Sequence, residues 1–244
     1  MTDLRGKVVL VIGGGSGIGL GIARALHGEG CKVAIAARSE NALHEAAGSV
    51  GEKSPMFWKT CDITDRRQVA ELFEWLAETV GSIDILVNSA GANIANRMMA
   101  NIDPAEFDSV MAVNATGAFN CIHAALPAMR EKGAGLIINV VSVAGKRTLM
   151  LAGLPYCVSK FGAATLGTFV NLEEAANGIK VTNIYPGETN TPLVDKRPVP
   201  PAAEKRAMML QPEDIGACVV TIAKLPPRAV VPELVITPPY MMMD

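Results

Sequence analysis

The sequence predicts an α/β fold built on a doubly wound parallel sheet, and three observations carry that expectation. Seven short, continuously apolar runs alternate with helix-patterned stretches; the first run ends in a glycine-rich turn; and the other candidate functional residues fall just beyond the ends of later runs. Strands that are apolar on both faces need helices above and below, which a parallel arrangement supplies. Ligands of such sheets bind outside the carboxyl ends of the strands. The 244 residues suffice for one sizeable core, and no repeat or compositional break asks for a second, so 1–244 reads as a single domain.

The first run, Val8–Ile12, leads into Gly13-Gly14-Gly15-Ser16-Gly17-Ile18-Gly19, and 20–26 then reads as helix. Glycines let the backbone approach a diphosphate closely, and the free N–H groups of the following helix favour negative charge. Gly13, Gly15, Ser16, Gly17, Ile18 and Gly19 are therefore candidate cofactor residues. The second run, 33–37, ends without the carboxylate that would bind bare ribose hydroxyls. Arg38 stands there instead, a guanidinium suited to a ribose phosphate, so NADP(H) is expected over NAD(H).

Further runs at 56–59, 83–87, 136–141, 181–185 and 234–236 complete seven strands. The stretch 110–129 has membrane-spanning length and no Asp, Glu, Lys or Arg, yet Asn114, Thr116, Asn120, His123 and Pro127 interrupt it. It is expected to be one long buried helix. In Pro155-Tyr156-Cys157-Val158-Ser159-Lys160, helical spacing puts a phenol and an ammonium on one face. A phenol titrates near pH ~10, so acid/base work at neutral pH needs a nearby charge or hydrogen bond. Cys157, one residue on, points elsewhere and reads as packing.

The proline-rich 192–201 and a short helix over 202–209 suggest a substrate lid near 192–211. Lys146 and Arg147 read as solvated loop charges in preference to contacts with an anionic substrate, and Asn93, Ala144, Leu154 and Glu188 as the lining of a modest cleft of mixed polarity. With 22 basic and 24 acidic residues and a net charge of −2, no basic stripe supports nucleic-acid binding. Five cysteines without metal-ligand spacing read as reduced thiols of a cytoplasmic protein, and neither a metal site nor a secretion signal is expected.

Together these blocks resemble the short-chain dehydrogenase/reductase family over about residues 4–191, with fainter likeness beyond. The glycine motif corresponds to Gly13, Gly17 and Gly19, an adenine-side position to Asp62 with Ile63, and the strand-four motif to Asn88, Ala90 and Gly91. Asn114, Ser142, Tyr156 and Lys160 correspond to its catalytic set, and Pro186, Gly187, Thr189 and Thr191 to its nicotinamide-side motif. The resemblance implies a three-layer Rossmann fold with a seven-stranded sheet and hydride transfer between NADP(H) and a small carbonyl or alcohol. Tyr156 would act as proton donor, Lys160 would lower its pKa and hold the nicotinamide ribose, Ser142 would bind the alkoxide, and Asn114 would support a proton-relaying water. It also implies a homodimer or homotetramer. The sequence departs from the pattern at Ile12, at Ser89, in the spacing of Ser142 from Tyr156, and in its ending at 235–239, which loosens any substrate analogy. A catalytically silent NADP-binding regulator is the alternative from another class.

Overall fold

The computed structural model describes residues 1–51 and 55–242. Its sheet contains β1 (Val8–Ile12), β2 (Lys32–Ala37), β3 (Phe57–Thr60), β4 (Ile85–Asn88), β5 (Gly135–Val140), β6 (Ile179–Pro186) and β7 (Glu233–Ile236), ordered β3-β2-β1-β4-β5-β6-β7. Every pairing is parallel. Strand alternation feeds two cores at once. Val9 and Val11 of β1 face a cluster with Ile22, Leu43 and Ile215, whereas Leu10 and Ile12 face one with Leu72, Ile122 and Met129.

The first cluster is closed by α1 (Gly17–Gly28), α2 (Glu40–Gly48) and α8 (Pro212–Ala223), the second by α3 (Arg66–Thr79), α5 (Ala118–Lys132) and α6 (Leu154–Glu173). The remaining helices are α4 (Pro104–Met111) and the short α7 (Ala203–Met208). Local signals fix several starts: Asp65 accepts from Arg67 N and Gln68 N at the head of α3, Asp103 accepts from Ala105 N before Pro104, and Gln211 with Asp214 forms a reciprocal cap before Pro212. Helix α1 lies against α8 so closely that a Cβ at Gly21 would sit 2.6 Å from Pro212 carbonyl carbon.

The stretch 110–129 departs from the expected uninterrupted helix. One π-helical turn, Ala112–Gly117, joins α4 to α5. Its cause is tertiary: the Asn114 amide accepts from Ala92 N at 2.7 Å and donates to Ala92 O and Ser159 Oγ, each at 2.9 Å, pinning the turn to the loop after β4 and to α6. His123 ends up exposed on the outer side of α5, its ring tilted against Phe119.

Candidate active site

The order of strands reverses between β1 and β4, and there the loops after the two strands separate to leave a cleft. The turn after β1 is sterically determined. Gly13 has φ +77, and a Cβ on it would lie 2.7 Å from Ala90 N; one on Gly19 would lie 2.2 Å from Gly13 O. Gly17, with φ +52, faces Thr191, whose methyl lies 3.1 Å from where a Cβ would be. Gly13 and Gly17 therefore bring the turn against the β4 loop and the segment after β6, while Gly19 lets the turn close on itself.

The cleft, of about 400 Å³, is lined by Gly13, Gly15, Ser16, Gly17, Ile18, Gly19, Arg38, Asp62, Ile63, Ala90, Gly91, Tyr156, Lys160 and Thr191, among others. Exposed Arg38 stands at one end beside Ser39, whose hydroxyl accepts from Ala42 N at the start of α2. Asp62 caps its own turn through Thr64 N and Thr64 Oγ1 at 3.0 and 2.8 Å. The shape and donors fit a dinucleotide: glycine backbone and a helix N-terminus at the centre, a cation at one end, Tyr156 and Lys160 at the other. Asn88 lies elsewhere. It is buried behind the cleft beside a void of about 10 Å³ shared with Asn114 and Lys160, its amide directed at Ala118 O. Alternation along β4 thus turns the Asn88 side chain to the sheet face that α5 covers.

A second cavity of about 1000 Å³ adjoins the first, with Tyr156, Val141, Ile18, Thr191 and Leu193 common to both. Ser142, Pro186, Gly187 and Thr189 line it, as do Asn93, Ala144 and Glu188. Its size exceeds the modest cleft expected, with Leu193, Val199, Pro200 and Lys205 adding to its wall, and Leu154 lies outside the lining with its side chain exposed. Arg147 joins the lining, but Lys146 turns away to pair with Glu233 at 2.5 Å.

Lys160 is almost fully buried on α6, one turn beyond Tyr156. Its ammonium donates to Val140 O at 3.0 Å and lies 5.6 Å from the centre of the Tyr156 ring. Burial, uncompensated by any carboxylate, pulls its pKa down to about 8. Burial also pushes the Tyr156 phenol up to about 12, although its hydrogen bond with Ser142 opposes the rise. The lowering expected from Lys160 is therefore absent from the balance on this phenol, which stays a protonated donor across neutral pH. Ser142 leaves β5 with extended backbone, and its hydroxyl accepts from Ala144 N at 3.1 Å. Cys157, next to Tyr156, is buried with its thiol near Leu149 O, as a packing residue would be.

Other polar groups at the larger cavity have no motif to announce them: Arg97 and Arg197 come from two separate loops, Lys205 from the short α7 and Tyr240 from a 3-10 turn at Pro239–Met242. Only folding brings them together. Among the described residues no His/Cys/Asp/Glu cluster could hold a metal, and no helix is long and apolar enough to cross a membrane.

Comparison with known proteins agrees with this geometry. The family model described as short chain dehydrogenase matches residues 7–200. An uncharacterized oxidoreductase of Staphylococcus aureus strain MW2 is 33% identical over 238 residues, covering 98% of this chain and 100% of the relative. Among solved structures, an actinorhodin polyketide ketoreductase variant with NADPH superposes at a TM-score of 0.86, with 28% identity over 97% of each chain. The closed form of serine dehydrogenase complexed with NADP+ also gives 0.86, at 26% identity over 95% of this chain and 94% of that one. Glycine turn, parallel sheet and the Ser142, Tyr156 and Lys160 corner thus coincide with overall similarity: the chain belongs to the short-chain dehydrogenase family of oxidoreductases.

Proposed function

We propose that this protein carries out reversible hydride transfer between NADP(H) and a carbonyl/alcohol pair. The observation that carries the reading is the position of Tyr156: it lines both cavities, shares the larger one with Ser142, and has the buried Lys160 ammonium behind it. When bound, the nicotinamide supplies or accepts the hydride. In reduction, Tyr156 gives its proton to the carbonyl oxygen, and Ser142 hydrogen-bonds the same oxygen as charge builds on it. Lys160 holds the nicotinamide ribose hydroxyls, and Asn114, at the π turn, supports the water that returns a proton towards Lys160.

The remaining contacts follow the cleft. Arg38 takes the ribose phosphate and so favours NADP(H); Asp62 and Ile63 flank the adenine; the 13–19 turn cradles the diphosphate. Ala90 and Gly91 form the opposite wall with Asn88 behind them, while Pro186, Gly187, Thr189 and Thr191 meet the carboxamide and diphosphate. Residues 192–211 serve as the lid. A silent, nucleotide-binding regulator finds no support where Asn114, Ser142, Tyr156 and Lys160 are all present. Five unpaired thiols, four of them buried, suit a reducing cytoplasm. The partner is a small molecule.

Titration with NADPH and NADH, followed by NADPH oxidation against ketones, aldehydes and 3-oxoesters, tests this reading. Tyr156→Phe is expected to lower turnover at least ~100-fold, the scale of a lost general acid, with NADPH still bound. Near-normal turnover by that variant sinks the role of Tyr156, and tighter binding of NADH than of NADPH sinks that of Arg38.

A further inference from the structure

The larger cavity has a charge imbalance that hydride transfer to a neutral carbonyl leaves unused. Its lining contains four basic side chains, Arg97, Arg147, Arg197 and Lys205, against one carboxylate, Glu188, in a chain whose formal charge is −2. Glu188 is already fully engaged. Arg197 Nη1 lies 2.8 Å from Oε1, and Lys205 Nζ and the Tyr240 hydroxyl lie 3.3 and 2.6 Å from Oε2. Burial raises the pKa of this carboxyl, but Tyr240, Arg197 and Lys205 together outweigh burial and hold it below the ordinary range, so it is ionised and already serves two cations.

Arg97 has no such partner. Its side chain belongs to a residue only 5% exposed; its two terminal nitrogens donate to Leu151 O at 3.0 Å and Lys196 O at 2.8 Å, and Nε has no acceptor. Among the described residues no carboxylate pairs with it. A buried cation facing only carbonyl dipoles is costly, and Arg197 nearby adds like-charge repulsion. The fold nevertheless makes room for it: Gly153, at φ +82, lacks the Cβ that would stand 2.4 Å from Arg97 Cβ. The same cavity is also lined by apolar side chains, among them Val143, Leu149, Met150 and Leu193.

We propose that the substrate is a carbonyl compound carrying a carboxylate beyond a short apolar segment, with Arg97 and Arg197 receiving the anion while the carbonyl meets Tyr156. The planar guanidinium fork matches a carboxylate's two oxygens, and the anion supplies the missing counter-charge. This deepens the reading above and rests on it for the position of the carbonyl.

The test pairs 4-oxopentanoate, 5-oxohexanoate and 6-oxoheptanoate with their methyl esters, and adds the phosphate monoester of 5-hydroxypentan-2-one. NADPH oxidation by each is followed in the wild type, Arg97→Gln and Arg197→Gln. For the best chain length, kcat/KM for the acid is expected to exceed that for the ester at least ~10-fold, the scale of one charge-assisted hydrogen bond, with the difference in KM. In Arg97→Gln that ratio falls towards one. Preference for the phosphate monoester supports anion recognition and changes the anion to a phosphoryl group. Esters matching or beating the acids overturn the proposal while leaving the reductase reading intact. Calorimetry of the same acids and esters on the NADP+-loaded protein separates the two ideas when nothing is oxidised. Selective binding of acids then supports the anion site and counts against the reductase reading, and its absence overturns both. Should Arg97→Gln fail to fold, the wild-type ratio and Arg197→Gln decide.

Discussion

Lys160 illustrates how one side chain carries information that spacing alone does not. Tyr156 and Lys160 are legible in the sequence because they stand four positions apart on a helix. That burial moves both pKa values away from activation is visible only once Val140 O and the surrounding walls are in place. The shift has a measurable sign. With a folded pKa near 8 against an ordinary 10.5, the unfolded chain holds the proton and the native one does not between those values, so Lys160 makes stability rise with pH across that window. The gain from this group is about 3 kcal/mol at its upper end. Raised pKa values at Tyr156, Cys31 and Cys61 act in the opposite sense at the alkaline end, so the comparison is best made between wild type and Lys160→Met. Urea midpoints of the cofactor-free protein are expected to show wild type gaining on the variant from pH 8 to 10; parallel curves would contradict the shift. Arg97 and Arg197 lie at the other extreme of legibility, since they belong to no periodic segment or motif and meet only across the cavity.

Elements were readable where local chemistry alone determines them. The seven apolar runs became seven strands with ends displaced by one or two residues, as at β3 and β6, because pairing with neighbours extends or trims an edge. The π turn at Ala112–Gly117 was not readable, since the apolar period continues through it and its cause, Asn114 reaching Ala92 and Ser159, is tertiary. The glycine turn yields a prediction that separates space from motif. Gly15 would place a Cβ 3.5 Å from Ala42, an ordinary contact, whereas Gly19 would place one 2.2 Å from Gly13 O. Gly19→Ala is therefore expected to cost about 1–3 kcal/mol in urea unfolding, and Gly15→Ala less than about 0.5 kcal/mol. Equal losses would show that the turn relaxes around either methyl.

At the scale of the whole molecule, parallel order follows from alternating strand and helix signals, and the open end of the sheet follows from that order. What the single chain leaves bare is an apolar stretch of α5 and α6. Phe119, Phe161, Phe169 and Leu172 are 42%, 40%, 63% and 74% exposed on these two helices. We propose that these helices meet a second copy of the chain in a homodimer or homotetramer. Sedimentation is expected to give a multiple of 25.6 kDa for the wild type and the monomer for Phe169→Asp with Leu172→Asp. A wild-type monomer would remove the proposal.

Thr191 and Leu193 form a party wall, facing the dinucleotide cleft on one side and the larger cavity on the other. Arg97 fastens the far end of that segment at Lys196 O, and Arg197 fastens its continuation to Glu188. On the proposed reading, an anion drawn to those arginines steadies the same partition that bounds the nucleotide. How long the coenzyme dwells in its cleft then becomes a property of the molecule next door.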